Sequence, residues 1–310
     1  MRSPTRALLL LTALLVAGCT PAARSAPGRP PPPPAAGFPV TLTDDAGRLV
    51  VVAAAPRRIV SIAPSTTEIL FALGLGERVV AVDDHSDYPP AVRQKTRLGG
   101  YAKPDLERVV AAAPDLVLAT GAHVKTVVPE LEARGVTVFV VDAGDLDGVF
   151  DRIGRVGRIT GQDAPAADLV GRLRGRADAV AATVDGAGRP RVFVELSPLL
   201  HTAGPGSFVD DLIRRAGGRN VAADTATQWP QLSQEALIER DPEVVLLAHG
   251  AAGATPETVR QRAGWSQLTA VTRGRVLPID PDLAMRAGPR LVDGLEAVAR
   301  ALHPDRFGGR

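Results

Sequence analysis

What the chain lacks narrows its chemistry first. Among 310 residues there is one cysteine, Cys19. A single thiol excludes an internal disulfide, a multi-thiolate metal site and an iron–sulfur cluster. The fold must therefore be held by its apolar core, and a 45% hydrophobic content over this length is enough for one or two lobes. Aromatic residues make up only 4%, which leaves little ring surface for stacking against a flat ligand. There are three lysines (Lys95, Lys103, Lys125), a formal net charge of +2 and no basic stripe, so no nucleic-acid partner is expected.

What is present begins at the amino terminus. Arg2 and Arg6 precede "ALLLLTALLVA" and then "AGC", the charged, apolar and small-residue order of a secretory signal. The apolar run has about 11 residues, short of the roughly 20 that span a bilayer as a helix. "LVAGC" looks like a bacterial lipobox, with residues 1–18 removed and Cys19 lipidated; a plain signal peptide with an incidental cysteine is the alternative. Removing Arg2 and Arg6 brings the charge balance near zero. Residues 19–38 carry five consecutive prolines, Pro30 to Pro34, which favour an extended polyproline II stalk. At about 3.1 Å per residue the stretch from Thr20 to Gly37 reaches roughly 55 Å. The expectation is an extracytoplasmic domain tethered to a membrane by a lipid anchor.

The rest reads as an α/β protein. "FPVTLTDDAGRLVVV" alternates apolar and polar residues about a turn and predicts a hairpin. Short apolar strands at 57–63, 78–82, 115–119 and 136–142 alternate with helices at 64–74 and from near Asp105, Lys125 and Leu146, a pattern that argues for a parallel sheet. Leu169, Leu173, Ala177 and Val180 then mark one amphipathic helix over 163–184. The alternation restarts with strands at 191–196, 243–248 and 275–280. Helices at 207–218, from Ser233 and from Pro289 to Leu302 fall around these strands. The reading is two Rossmann-like lobes, 39–160 and 187–310, joined by a long rigid helix within 161–186, with a ligand cleft between them.

One phrase occurs in both lobes: "DLERVVAAAPDLVLA" from Asp105 and "SQEALIERDPEVVLL" from Ser233. Each has a polar N-cap, a glutamate two residues on, an apolar pair (Val109 and Val110; Leu237 and Ile238) facing the core, and a proline that ends the helix and launches a strand. Glu107 and Glu235 are thus matched. A glutamate in a first helical turn also complements the helix dipole by about 0.3–1 kcal/mol, so the pair has a purely structural reading as well. Glu68, three residues after Ser65, fits an S-x-x-E capping box.

These segments, with "RRIVSIAPSTTEILFALGLGERVVAV", "HSDYPP", "LGGYAKPDLERVVAAAPDLVLA", "WPQLSQEAL" and "RAGPRLVDGLEAVARALHP", resemble the helical-backbone class of periplasmic binding proteins serving ABC importers for cobalamin, haem and iron–siderophores. The resemblance covers the chain from about Phe38 onward, and "SDYPP" and "WPQLSQEAL" are most similar to the cobalamin-binding members. It implies a monomeric, non-enzymatic receptor with no resident cofactor. Its ligand is a small-molecule metal chelate, and its partner is a permease dimer with cytoplasmic ATPase subunits. It further implies that Glu107 and Glu235 dock on that permease, one per lobe.

In doubly wound sheets ligands sit beyond the carboxyl ends of strands. Ligand-binding candidates there are His85, Tyr88, Tyr101, His201, Trp229, Asp282 and Arg286. By the resemblance Tyr101 holds an aromatic position of the cleft, whereas Thr120 replaces a tryptophan and Leu283 and Ala284 stand where an aromatic is usual. His85, His123, His201 and His249 all follow strands. Of these, His85 and His201 are the best candidates for an axial bond to a chelated metal, and together the four raise a bare-metal receptor as an alternative. Arg286 can pair with a carboxylate or amide carbonyl of a chelate. An exported hydrolase is the rival from another class, but no G-x-S-x-G, H-E-x-x-H or paired-carboxylate spacing supports it.

Overall fold

The computed structural model describes residues 37–249 and 255–308. The signal segment, Cys19 and the linker through residue 36 lie outside the described residues.

The expected hairpin forms from β1 (Val40–Thr43) and β2 (Leu49–Val52), antiparallel with Val40 opposite Val52. Asp44 closes its turn by accepting from the Ala46 and Arg48 N–H groups, and Gly47 supplies the positive φ. The first lobe continues with β3 (Ile59–Ser61), α1 (Pro64–Ala72), β4 (Val79–Val82) and β5 (Thr96–Arg97). A two-stranded ribbon of β6 (Gly99–Gly100) and β7 (Lys103–Pro104) precedes α2 (Leu106–Ala111), β8 (Leu116–Ala119), α3 (Val127–Glu132), β9 (Val138–Val140) and α4 (Leu146–Thr160). The sheet order is β5-β4-β3-β8-β9, all parallel. Strands β3, β8 and β9 are buried along their whole length, which is why they read as continuous apolar runs rather than alternations.

Gly161, left-handed at φ 71°, ends α4, and α5 (Asp163–Val184) follows almost at once. Its buried face is Ala166, Leu169, Leu173, Ala177, Val180 and Val184, the stripe expected from the sequence. At about 1.5 Å per residue this helix is roughly 33 Å long. It packs on α4 of the first lobe and later on α11 (Leu291–Leu302) of the second, so it bridges the two.

The second lobe runs β10 (Arg191–Glu195), α6 (Phe208–Arg215), β11 (Arg219–Asn220), α7 (Gln234–Arg240), β12 (Val244–Leu247), α8 (Pro256–Arg260), α9 (Thr269–Thr272), β13 (Val276–Pro278), α10 (Pro281–Ala284) and α11. Its order, β11-β10-β12-β13, is again all parallel. Strand β11 and the short helices α8 to α10 lacked enough periodicity to be read from the sequence.

The repeated phrase folds the same way twice. Asp105 and Ser233 cap α2 and α7 by accepting from the N–H groups of Arg108 and Ala236. Ala113 and Asp241, each just before the proline, both take positive φ (46° and 39°). The acid after the proline then pins the neighbouring strand. Asp115 accepts from the Arg58 N–H at 3.0 Å and Glu243 from the Arg191 N–H at 3.0 Å. The arginines in turn donate to the helix-end carbonyls of Ala113 and Asp241. One expectation needs correction: only Val109 and Leu237 are buried, while Val110 is 37% exposed and Ile238 half-buried. Val110 turns toward solvent one position past Val109, and Ile238 packs only partly against the apolar cluster of the second lobe.

Candidate functional site

The carboxyl ends of both sheets converge on a cavity of about 400 Å³. The first lobe lines it with Pro64, Ser65, His85, Tyr101, Thr120 and Asp142, and the second with Phe208, Met285, Arg286 and Ala287. This volume lies within the range of small-molecule sites, at the switch between lobes where such sites form.

The wall of the first lobe is a fixed polar network. Tyr101 Oη and Thr120 Oγ1 share a hydrogen bond of 2.9 Å. The Thr120 N–H donates to His123 Nδ1 at 3.1 Å, which leaves the proton on Nε2 to donate to the Tyr101 carbonyl at 2.7 Å. His123 is fully buried, and that burial holds its pKa below the usual imidazole value. A neutral imidazole with both nitrogens committed holds the Tyr101 ring edge-on at 5.0 Å; it is not placed to meet a ligand. Behind this wall Ser61, Thr66, Thr67 and Ser86 are buried and linked hydroxyl to hydroxyl, ending on Asp83. Burial raises the Asp83 pKa against the hydrogen bonds from Ser86 and the His85 N–H. His85 itself is exposed on the cavity wall.

Arg286 reaches the cavity from the second lobe, but its charge is already shared. It meets Asp282 at 2.8 Å, Asp87 at 2.6 Å and Glu68 at 3.4 Å, and it donates to the His85 carbonyl. Burial lowers its pKa, yet these carboxylates outweigh burial and raise it, while the same contact holds the Asp87 pKa down against its own burial. Glu68, 3% exposed, also accepts from Arg290 at 2.6 and 3.1 Å. The capping-box expectation for Glu68 is thereby corrected. Helix α1 starts at Pro64 with Ala63 as its uncapped N-cap, and Glu68 instead ties the two lobes together. A reciprocal tie runs from Asp211 on α6, 2% exposed, which accepts from the Leu146 N–H at 3.0 Å.

The other expected residues fall at varying distances from the cavity. Tyr88 lies on the far side of the Glu68–Arg290 tie, its ring under the Arg290 guanidinium at 4.0 Å, and lines a separate hollow with Phe71 and Leu173. Asp282 touches the cavity only through Arg286. Trp229 is 43% exposed and stands edge-on to the cavity residue Phe208 at 5.5 Å, so it belongs to the rim. His201 is half-buried in the loop after β10, bonded to Ser197 Oγ at 2.8 Å and outside the cavity lining. His249 turns inward, giving Nε2 to the buried Glu195 at 2.7 Å, and Arg262 completes that cluster. Among the described residues no three His, Cys, Asp or Glu side chains converge as a metal site. Glu107 and Glu235 are both exposed in the first turns of α2 and α7.

Sequence reasoning missed Phe208 and Asp142. Phe208 opens α6, and nothing in the sequence marks its ring as facing the cleft; Asp142 is an isolated carboxylate two residues past β9.

Residues 59–283 match the model of a family described as periplasmic binding protein. The chain belongs to the periplasmic binding protein family. It is therefore a solute-binding protein and not an enzyme, and its two-lobed fold is that of the family. It is 33% identical over 310 residues to an uncharacterized ABC transporter substrate-binding lipoprotein, YvrC, of Bacillus subtilis, covering 97% of each chain. It is 33% identical over 316 residues to a cobalamin-binding protein of Halobacterium salinarum, covering 96% of this chain and 84% of that one. Among solved structures, a periplasmic heme-binding protein from Pseudomonas aeruginosa is 31% identical with a TM-score of 0.70, over 80% of this chain and 93% of the other. No helix among the described residues is long and apolar enough to cross a membrane.

Proposed function

We propose that this protein captures cobalamin between its lobes and delivers it to the permease dimer of an ABC importer, whose cytoplasmic ATPase subunits supply the energy. Relatives described as cobalamin-binding and as an ABC transporter substrate-binding lipoprotein support the reading. The observation that carries cobalamin over haem is the state of Arg286. Haem presents two carboxylates, and a cleft built for it needs an uncommitted cation. Here Arg286, the one arginine or lysine on the cavity wall among the described residues, is shared by Glu68, Asp87 and Asp282 before any ligand arrives. The periphery of a corrin is mostly neutral amides, which the Tyr101 and Thr120 hydroxyls and a pre-paired arginine can meet without desolvating a free charge.

In this reading Tyr101, Phe208 and Met285 pack on the corrin face and His85 stands nearest its metal. Glu107 and Glu235 dock on cationic pockets of the permease, one from each lobe, and give register and a salt-sensitive on-rate. Cys19 carries the lipid anchor, residues 19–38 act as the stalk, and the receptor works as a monomer. The specific observation favouring haem is that Tyr101 and His85 both line the first-lobe wall. Titrating the purified protein with cyanocobalamin, haemin and a ferric siderophore, followed by absorbance and calorimetry, separates these ligands. Sub-micromolar cyanocobalamin binding is expected; binding of haemin alone, or of none, contradicts the proposal.

A further inference from the structure

Among the described residues Asp142 is the one acidic side chain on the cavity wall, and its carboxyl makes no ion pair. The cations near it are turned elsewhere. Arg152 and Arg155 both pair with Asp45, at 2.9 and 2.7 Å, and Arg152 gives its Nε–H to the main-chain carbonyl of Asp142 rather than to its carboxylate. Asp45, 6% exposed at its side chain, also accepts from the Asp142 N–H at 2.8 Å, which fixes the backbone here. Gly121 leaves room for the carboxyl: a Cβ there would meet Asp142 Oδ2, so a side chain at 121 would turn the carboxyl away. Although the residue is open to the cavity, burial of its carboxyl and then the Asp45 charge raise its pKa. Opposite stand Phe208 and Met285, which are apolar, and Arg286, which is already paired.

A held carboxylate with no cation of its own accepts hydrogen bonds from a ligand's N–H groups and repels a ligand carboxylate at the same place. We infer that Asp142 sets ligand specificity: it admits chelates whose periphery is amide or otherwise uncharged and rejects those bearing a carboxylate there. This rests on the cavity being the ligand site, as proposed above, but not on the ligand being cobalamin.

The test uses two matched pairs, cyanocobalamin against its monocarboxylate derivatives and haemin dimethyl ester against haemin, titrated into the detergent-solubilised full chain and its Asp142→Asn variant. The wild-type protein should prefer the uncharged member of whichever pair it binds by about ten- to a hundredfold, the worth of one hydrogen bond to a charged group. Asp142→Asn should bind the carboxylate member more tightly and bring the ratio to within about threefold, with the melting temperature showing that the variant is folded. A preference seen only in the haem pair, and lost in Asp142→Asn, would support Asp142 while contradicting cobalamin as ligand. Cyanocobalamin binding with a preference that survives Asp142→Asn would overturn the role of Asp142 and leave cobalamin standing. No preference in either pair, including no binding, also overturns it.

Discussion

The two lobes are alike where they present their surfaces and unlike where their strands end. Helices α2 and α7 share a cap, an exposed glutamate in the first turn, a left-handed residue before proline and an acid that pins the next strand. Beyond the strands the resemblance stops. The first lobe ends in linked hydroxyls, the Tyr101–Thr120–His123 network and carboxylates with no ion pair among the described residues, Asp83 and Asp142. The second ends in charge: Glu195, fully buried, is held by Arg262 and His249. Under the proposed function, repetition marks what both lobes do together, which is to face one partner. Under the same proposal, divergence reflects the different walls the two lobes give one ligand.

The contrast can be broken most sharply at the charged end. Arg262→Ala removes the guanidinium from Glu195 and leaves its carboxylate buried with only His249. A loss of about 3–5 kcal/mol is expected, read as a lower urea midpoint at unchanged slope. No matching ion pair among the described residues lies in the hydroxyl network behind Tyr101, so no such cost is expected there. Next in size is the tie between lobes. Glu68→Gln keeps the shape but removes the one carboxylate that pairs with Arg290 among the described residues, and about 2–4 kcal/mol should be lost in the same measurement.

The smallest effect distinguishes the two copies of the phrase. Asp241 accepts from the Thr269 N–H and hydroxyl, which hold its pKa below the usual carboxylate value, whereas its counterpart Ala113 has no carboxyl. A carboxylate depressed in the fold contributes stability above its unfolded pKa of about 3.9, and that contribution is lost as pH falls through the lower folded value. Because the Asp241 side chain is 40% exposed, the contribution is at most about 1 kcal/mol. Asp241→Asn should therefore lower stability slightly at pH 7 and flatten its decline toward pH 3; an unchanged acid limb would show that the contact contributes nothing.

Much of this organisation was legible in the sequence because it is local. The buried stripe of α5, the strands and the doubled αβ unit all follow from spacing within a few residues. Glu68 was misread for the same reason. The S-x-x-E spacing is local, but the partners that decide its role, Arg286 and Arg290, lie 218 and 222 residues away. Histidines after strands pointed toward the cleft in sequence, yet only His85 lines the cavity; His123 and His249 turn inward because buried acceptors await them. Tyr88 sits in a cleft-like loop but is claimed by Arg290. Asp142 carried no sequence signal, since its character comes from Asp45 taking the nearby arginines.

The central claim is that the repeated helices serve the permease and the unlike strand ends serve the ligand. One paired measurement tests it most directly: cyanocobalamin affinity in solution and cobalamin uptake by cells, both for the double variant Glu107→Ala, Glu235→Ala. The account predicts an unchanged dissociation constant and abolished uptake. Uptake that persists with ligand binding intact would contradict it.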